Sequence, residues 1–227
     1  MSRRGGGQRI PRPTAWTEGG PPPWVAGDPA ALTLDHLRER FAARGPGRPT
    51  PLVLEGSTDS AVLVALFVDG SEVQVLLTVR GQHLRSHKGE VSFPGGRLDP
   101  GETALDAALR EATEEVGLDP RHVEIIGTLD DVATVGSRSL IHAFVGVLPE
   151  RPGELRPNPH EVDRVLLVPL SELMTEGVFR EERWGVAPLE RSIYFFELAD
   201  ETVWGATARM LVNLLCLAHG VDDARDR

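Results

Sequence analysis

Three glutamates, Glu111, Glu114 and Glu115, lie within GGRLDPGETALDAALREATEEVGL, the stretch from Gly95 to Leu118. If that stretch is helical, the spacing i, i+3, i+4 gathers the three carboxylates on one face within about one turn. The local signals favour a helix. Thr103 can cap its start with Asp106 three residues on, Leu105, Leu109, Ala112 and Val116 form an apolar stripe, and Gly117 supplies the stop. Like charges held so close require either solvent or a cation, and hard oxygen donors on a rigid element suit Mg²⁺ or Mn²⁺. An isolated EATEE is an ordinary solvated helix face, so the neighbours decide the reading. Arg110 can orient one carboxylate, and Gly95-Gly96 permits a turn tight enough to aim a backbone carbonyl at the same point.

The complete pattern is Gly96, five residues, Glu102, seven residues, then Arg110-Glu111-Ala112-x-Glu114-Glu115-x-Gly117-Leu118. Seven fixed identities at an average usage of roughly 6% would coincide with a probability on the order of 10⁻⁹ per starting position. This pattern resembles the full box of the Nudix hydrolases. The resemblance implies an α/β Nudix fold, a mixed β-sheet sandwiched between α-helices. It also implies Mg²⁺- or Mn²⁺-dependent cleavage of a nucleoside diphosphate linked to another group. By the same resemblance Glu111, Glu114, Glu115 and the Gly96 carbonyl hold the metal, and Arg110 orients rather than reacts. Ala112, where a larger aliphatic residue is usual, bears on packing rather than chemistry.

The preceding segment LLTVRGQHLRSHKGEVSFPGG, Leu76 to Gly96, concentrates Arg80, Arg85 and Lys88 in a chain whose 24 Lys+Arg against 34 Asp+Glu leave a net charge of −10. Local basic residues are where a diphosphate must be met in so acidic a protein. Arg80, Arg85, Gly89 and Phe93-Pro94-Gly95-Gly96 resemble the additional motif of the coenzyme A pyrophosphatase branch, which implies substrate contact by Arg80, Arg85 and Lys88. Downstream, EVDRVLLVPLSEL from Glu161 and WGATARML from Trp204 continue the likeness, which runs from about Leu34 to Leu217. Gly81, where Ser or Ala is usual, and Ala143, where Pro is common, depart from the branch and bear on acceptor specificity.

These residues need a scaffold, and 227 residues with 41% hydrophobic content supply one domain with extensions. AVLVALFV (61–68) and VQVLLTV (73–79) flank Asp69-Gly70, a hairpin signal. Further strands are expected at 123–129, 140–148, 162–170 and 192–198. Helices are expected after Thr33, with Leu34, Leu37 and Phe41 on one face, and over 206–219 before Gly220. Residues 1–28, rich in Gly, Pro and Arg, read as a flexible arm, 29–220 as the single Nudix domain and 221–227 as a polar tail. The single Cys216 excludes a disulfide framework and a Cys-rich zinc site, and is read as core. The net charge argues against nucleic acid as partner, and neither a membrane span nor a signal peptide is evident, so a cytoplasmic protein is expected. His83, His87, His142 and His160 form no metal spacing, and Trp204 reads as packing.

The resulting expectation is an enzyme acting on a small nucleotide. It is a divalent-metal pyrophosphohydrolase that splits coenzyme A or a derivative into 3′,5′-ADP and 4′-phosphopantetheine or its acyl form. The general base stays open between Glu111 and Glu161, a loop carboxylate. Alternatives are another Nudix substrate, such as ADP-ribose or an oxidised nucleoside triphosphate, and a non-catalytic nucleotide-sensing module. The latter is disfavoured by retention of Glu102, Glu111, Glu114 and Glu115. Oligomeric state stays open, a homodimer being one option.

Overall fold

The computed structural model describes residues 4–8, 10–24, 32–52, 55–84, 87–187 and 190–221. Its centre is the hairpin of β2 (Thr58–Asp69) and β3 (Glu72–Arg80), closed by Gly70 at φ 63° with Asp69 opposite Glu72. The β2–β3 ladder extends only to Leu66 opposite Val75, after which the strands part. Residues 91–97 fill the wedge: β4 (Val91–Ser92) pairs with β3, and β5 (Gly95–Arg97) pairs with β2. On its other edge β2 runs parallel to β8 (Ser139–Val147), which pairs in turn with β6 (Glu124–Thr128) and β7 (Val132–Thr134). The outer edge of β3 carries β9 (Val162–Pro169), which runs into the one-turn helix α3 (Leu170–Leu173). One parallel pair among antiparallel ones makes this sheet mixed.

Side-chain alternation along β2 assigns its two faces. Ala61, Leu63, Ala65 and Phe67 pack with Leu76 against Ala107, Ala108, Ala112 and Val116 of α2 (Ala104–Val116). Three alanines on that helix face let it approach the sheet closely, which is the consequence of Ala112. Val62, Val64 and Leu66 point the other way, into a core shared with α1 (Leu34–Arg44) and α4 (Gly205–Ala218). The sheet is therefore covered by helices on both faces. Thr33 caps α1 by accepting from the His36 N–H, and Cys216 is buried in α4.

A second sheet completes the larger core: β1 (Trp16–Glu18), β10 (Phe179–Trp184), β11 (Arg191–Glu197) and β12 (Thr202–Trp204), in that spatial order. Sequence patterning identified β11 but not its neighbours. Strand β10 reads FREERW, and its apolar alternation is hidden because Glu181 and Glu182 are buried through polar partners rather than excluded. Ser192 and the Gly20 N–H donate to Glu181, while Arg12, Arg180 and the Trp184 indole serve Glu182.

The stretch 1–28, expected as a flexible arm, is docked over its described residues. Gly5 donates to the Leu198 carbonyl, Gln8 pairs with Glu201, and Trp16–Glu18 forms an edge strand on β10. Trp24 sits in the core, edge-on to Phe179 and stacked on Phe196. Composition understates this segment because backbone ladder bonds and one large ring anchor it without any periodic apolar pattern. The expected boundary at 28/29 and the tail beyond Val221 lie outside the described residues. No helix among the described residues is long and apolar enough to cross a membrane.

Candidate active site

Helix α2 is capped by Thr103, whose hydroxyl oxygen accepts the Asp106 N–H at 3.2 Å, and is stopped by Gly117 in the left-handed conformation, φ 72°. It lies against β5, so Glu111 and Glu115, one turn apart, face the wedge where β2 and β3 separate. Gly95 donates its N–H to the Glu115 carboxylate at 3.3 Å. At Gly96 a Cβ would run into the Glu111 carboxylate, so the absence of a side chain there is what lets that carboxylate lie against the β5 backbone.

A third carboxylate arrives from a different segment. Glu161 ends the loop between β8 and β9, and one carboxylate oxygen each from Glu111, Glu115 and Glu161 lies within 4.8 Å of the others. The loop is fastened to α2: the N–H groups of Arg156 and Asn158 cap the Val116 and Glu115 carbonyls at 2.9 and 2.8 Å. Capping orphan carbonyls at a helix end thus also delivers Glu161 to the site. Glu114 is not in this group. It is exposed on the neighbouring flank and accepts from Arg110 at 3.1 Å.

Arg110 uses its whole donor set. It forks onto Glu102 at 2.9 and 3.0 Å, and bonds Glu111 at 2.9 Å, Glu114 at 3.1 Å and the Arg97 carbonyl at 3.1 Å. Glu102 is the fixed end of this clamp, and it also accepts the Asp99 N–H. Its signal in sequence was the conjunction with Arg110 eight residues on, one fork matching one carboxylate.

The electrostatics are those of an acidic pocket awaiting positive charge. Burial first, then the charges of Glu111 and Glu161, push the Glu115 carboxyl up to about 8, against relief from the Gly95 N–H and Arg80. Burial also raises Glu111, opposed by its bond from Arg110. The donor set is hard oxygen only, gathered at mutual repulsion, and it fits Mg²⁺ or Mn²⁺ rather than a soft metal.

Arg80 stands at the end of β3, where a bulge between Val79 and Arg80 shifts the register against β9, and its charge acts on Glu115. Bulges commonly re-aim a side chain beside a site. Lys88 is exposed in the turn that follows, and Arg85 lies outside the described residues. Gly81 donates its N–H to the Glu161 carbonyl at 2.8 Å, while Ala143 is core in β8. His142 pairs with Asp131 at 3.0 Å, remote in chemistry from the carboxylate group, and Trp204 packs on Phe195.

The NUDIX domain model matches residues 58–189. A Nudix hydrolase of Photorhabdus laumondii, NudL, described as uncharacterized, is 33% identical over 185 residues, covering 81% of this chain and 96% of its own. Nudix hydrolase 3 of Caenorhabditis elegans is 46% identical over 131 residues, 56% of this chain and 54% of that protein. Among solved structures, a MutT/nudix family protein from Enterococcus faecalis superposes with a TM-score of 0.50 at 16% identity, covering 81% of this chain and 68% of that one, a likeness of fold. With the family model matched over more than half of the chain and a relative 33% identical over 81% of it, the chain belongs to the Nudix hydrolase family.

Proposed function

We propose that this Nudix hydrolase is a cytoplasmic Mg²⁺- or Mn²⁺-dependent pyrophosphohydrolase that cleaves the diphosphate of coenzyme A or its derivatives to 3′,5′-ADP and 4′-phosphopantetheine or its acyl form. The observation that carries the reading is the convergence of Glu111, Glu115 and Glu161 on one point, with Arg80 close enough to ease the charge on Glu115. The cation, held by these carboxylates and the Gly96 carbonyl, with Glu114 joining if it leaves Arg110, would neutralise diphosphate charge and acidify water. Arg80 pairs with a diphosphate oxygen, Lys88 extends the positive charge toward the remaining phosphate, and the resemblance adds Arg85 to the substrate contacts. Arg110, held by Glu102, keeps Glu111 in one rotamer. The proton of the attacking water passes to Glu111 or Glu161, the two less buried carboxylates of the group. The coenzyme A assignment itself rests on the resemblance of Arg80, Arg85 and Phe93-Pro94-Gly95-Gly96.

A substrate panel with products identified by mass spectrometry tests this. Coenzyme A yielding 3′,5′-ADP at a kcat/KM well above those for ADP-ribose and oxidised nucleoside triphosphates is the expected result. Preference for either of those would reassign the substrate within the family, and no turnover of any would favour a nucleotide-sensing role.

A further inference from the structure

Glu161 is the one member of the carboxylate group that no helix holds, yet its loop is pinned at successive backbone atoms. The Glu161 N–H donates to the Asn158 carbonyl at 2.9 Å, the His160 N–H to the Asn158 side-chain oxygen at 3.1 Å, and the Glu161 carbonyl accepts from Gly81 at 2.8 Å. The carbonyl immediately before Glu161, that of His160, is held as well. His83 Nε2 reaches it at 2.9 Å, and because a carbonyl only accepts, Nε2 carries the hydrogen.

Gly81 leaves room for the ring in this position. A Cβ at position 81 would lie 2.7 Å from His83 Cε1 and 3.0 Å from Nδ1, so the imidazole occupies the space that any other residue would fill. A side chain at 81 would oblige the ring to shift from the position in which it meets the His160 carbonyl. Two residues of one short turn thus hold the two consecutive carbonyls at 160 and 161.

We propose that His83, admitted by Gly81, is a positioning residue for the Glu161 carboxylate, which it holds in the metal-binding arrangement through the His160 carbonyl. This rests on the assignment of Glu161 to the metal site. Loss of the clip frees the Glu161 loop to sample other conformations, and the cation then pays to order it. The consequence is weaker metal affinity with the fold intact.

The test measures Mn²⁺ affinity of the full chain without substrate, from the free-ion paramagnetic resonance signal, together with kcat, KM and the Mg²⁺ half-saturation of turnover. His83→Ala is expected to weaken Mn²⁺ binding by about three- to tenfold, the range a single neutral hydrogen bond carries. The Mg²⁺ requirement should rise in parallel, with KM for substrate at saturating metal nearly unchanged. His83→Gln, which retains a donor, should recover part of the loss. Gly81→Ala should reproduce the defect in the wild-type background and add little to His83→Ala, because both break the same contact.

Unchanged Mn²⁺ affinity in His83→Ala, or fully additive losses in the double variant, would overturn the proposal. Glu161→Gln separates this from failure of the underlying assignment. If Glu161→Gln weakens Mn²⁺ binding and His83→Ala does not, the clip alone is wrong. If Glu161→Gln binds Mn²⁺ normally, the assignment of Glu161 fails and the clip with it.

Discussion

At the residue scale, the carboxylates of the site are distinguished by surroundings more than by type. Glu115 is buried against Gly95 and shares the point of convergence with Glu111 and Glu161, whereas Glu114 is exposed on Arg110. Glu115→Gln should therefore cost on the order of a hundredfold or more in turnover, the loss expected of a charged group acting directly on the reacting centre, and Glu114→Gln distinctly less. Rates at saturating Mg²⁺ decide the order. Glu115 also makes stability depend on pH in the metal-free protein. Its carboxyl moves from an ordinary value of 4.5 to about 8 on folding, so between those values the folded state keeps a proton that the unfolded chain releases. That contribution is complete below the unfolded value and is lost as pH rises through the folded one. Metal-free melting temperature should thus fall from pH 5 to pH 8 more steeply in the wild type than in Glu115→Gln. Parallel profiles would mean that Glu115 is already ionised in the folded protein. If Arg80, which acts on Glu115, meets the diphosphate as proposed, Arg80→Ala should weaken coenzyme A and dephospho-coenzyme A equally, by about 1.5 to 3 kcal/mol in kcat/KM. A selective loss on coenzyme A would move Arg80 to the 3′-phosphate.

At the scale of elements, the site exists because α2 is held in register with β5. Gly96→Ala places a methyl group where the Glu111 carboxylate lies, and Glu111 must turn away or α2 must shift. Activity should fall sharply while circular dichroism stays native, since the intrusion is at the site and the sheet ladder is retained. Near-normal turnover would show that Glu111 need not lie against the strand. Thr103 is the complementary case. Thr103→Ala removes the N-cap of α2 and should cost about 1 kcal/mol of stability, within a range of roughly 0.5 to 2, with kcat almost unchanged because the carboxylates sit two to three turns away. Denaturant unfolding alongside steady-state rates checks it.

At the scale of the whole molecule, the N-terminal segment is part of the architecture. Trp24 fills the larger core between Phe179 and Phe196, and Trp16–Glu18 closes the outer edge of the second sheet. Trp24→Ala should lower stability by about 3 to 5 kcal/mol, the cost of emptying a large aromatic site. A chain lacking residues 1–24 should melt lower still and expose β10 as an unpaired edge prone to association. An unchanged melting temperature in the truncated chain would return this segment to the status of an appendage.

What the sequence determined by itself was local. Thr103, the apolar stripe and Gly117 encode α2, and 3.6-residue periodicity then places Glu111 beside Glu115, because those relations span a few bonds along one element. Asp69-Gly70 likewise encodes the central hairpin. The tertiary structure decided which carboxylates meet. Glu114 shares the helix face yet turns to Arg110, and Glu161, about fifty residues downstream of Glu111, enters the site because a loop caps the end of α2. It also decided the fate of the N-terminal segment, whose burial depends on the inner face of β10 and β11 and on no pattern of its own. Separation along the chain carries no signature of contact. The carboxylate contacts exist only once the sheet has parted at Leu66 and Val75 and left a wedge for glycines and glutamates to fill.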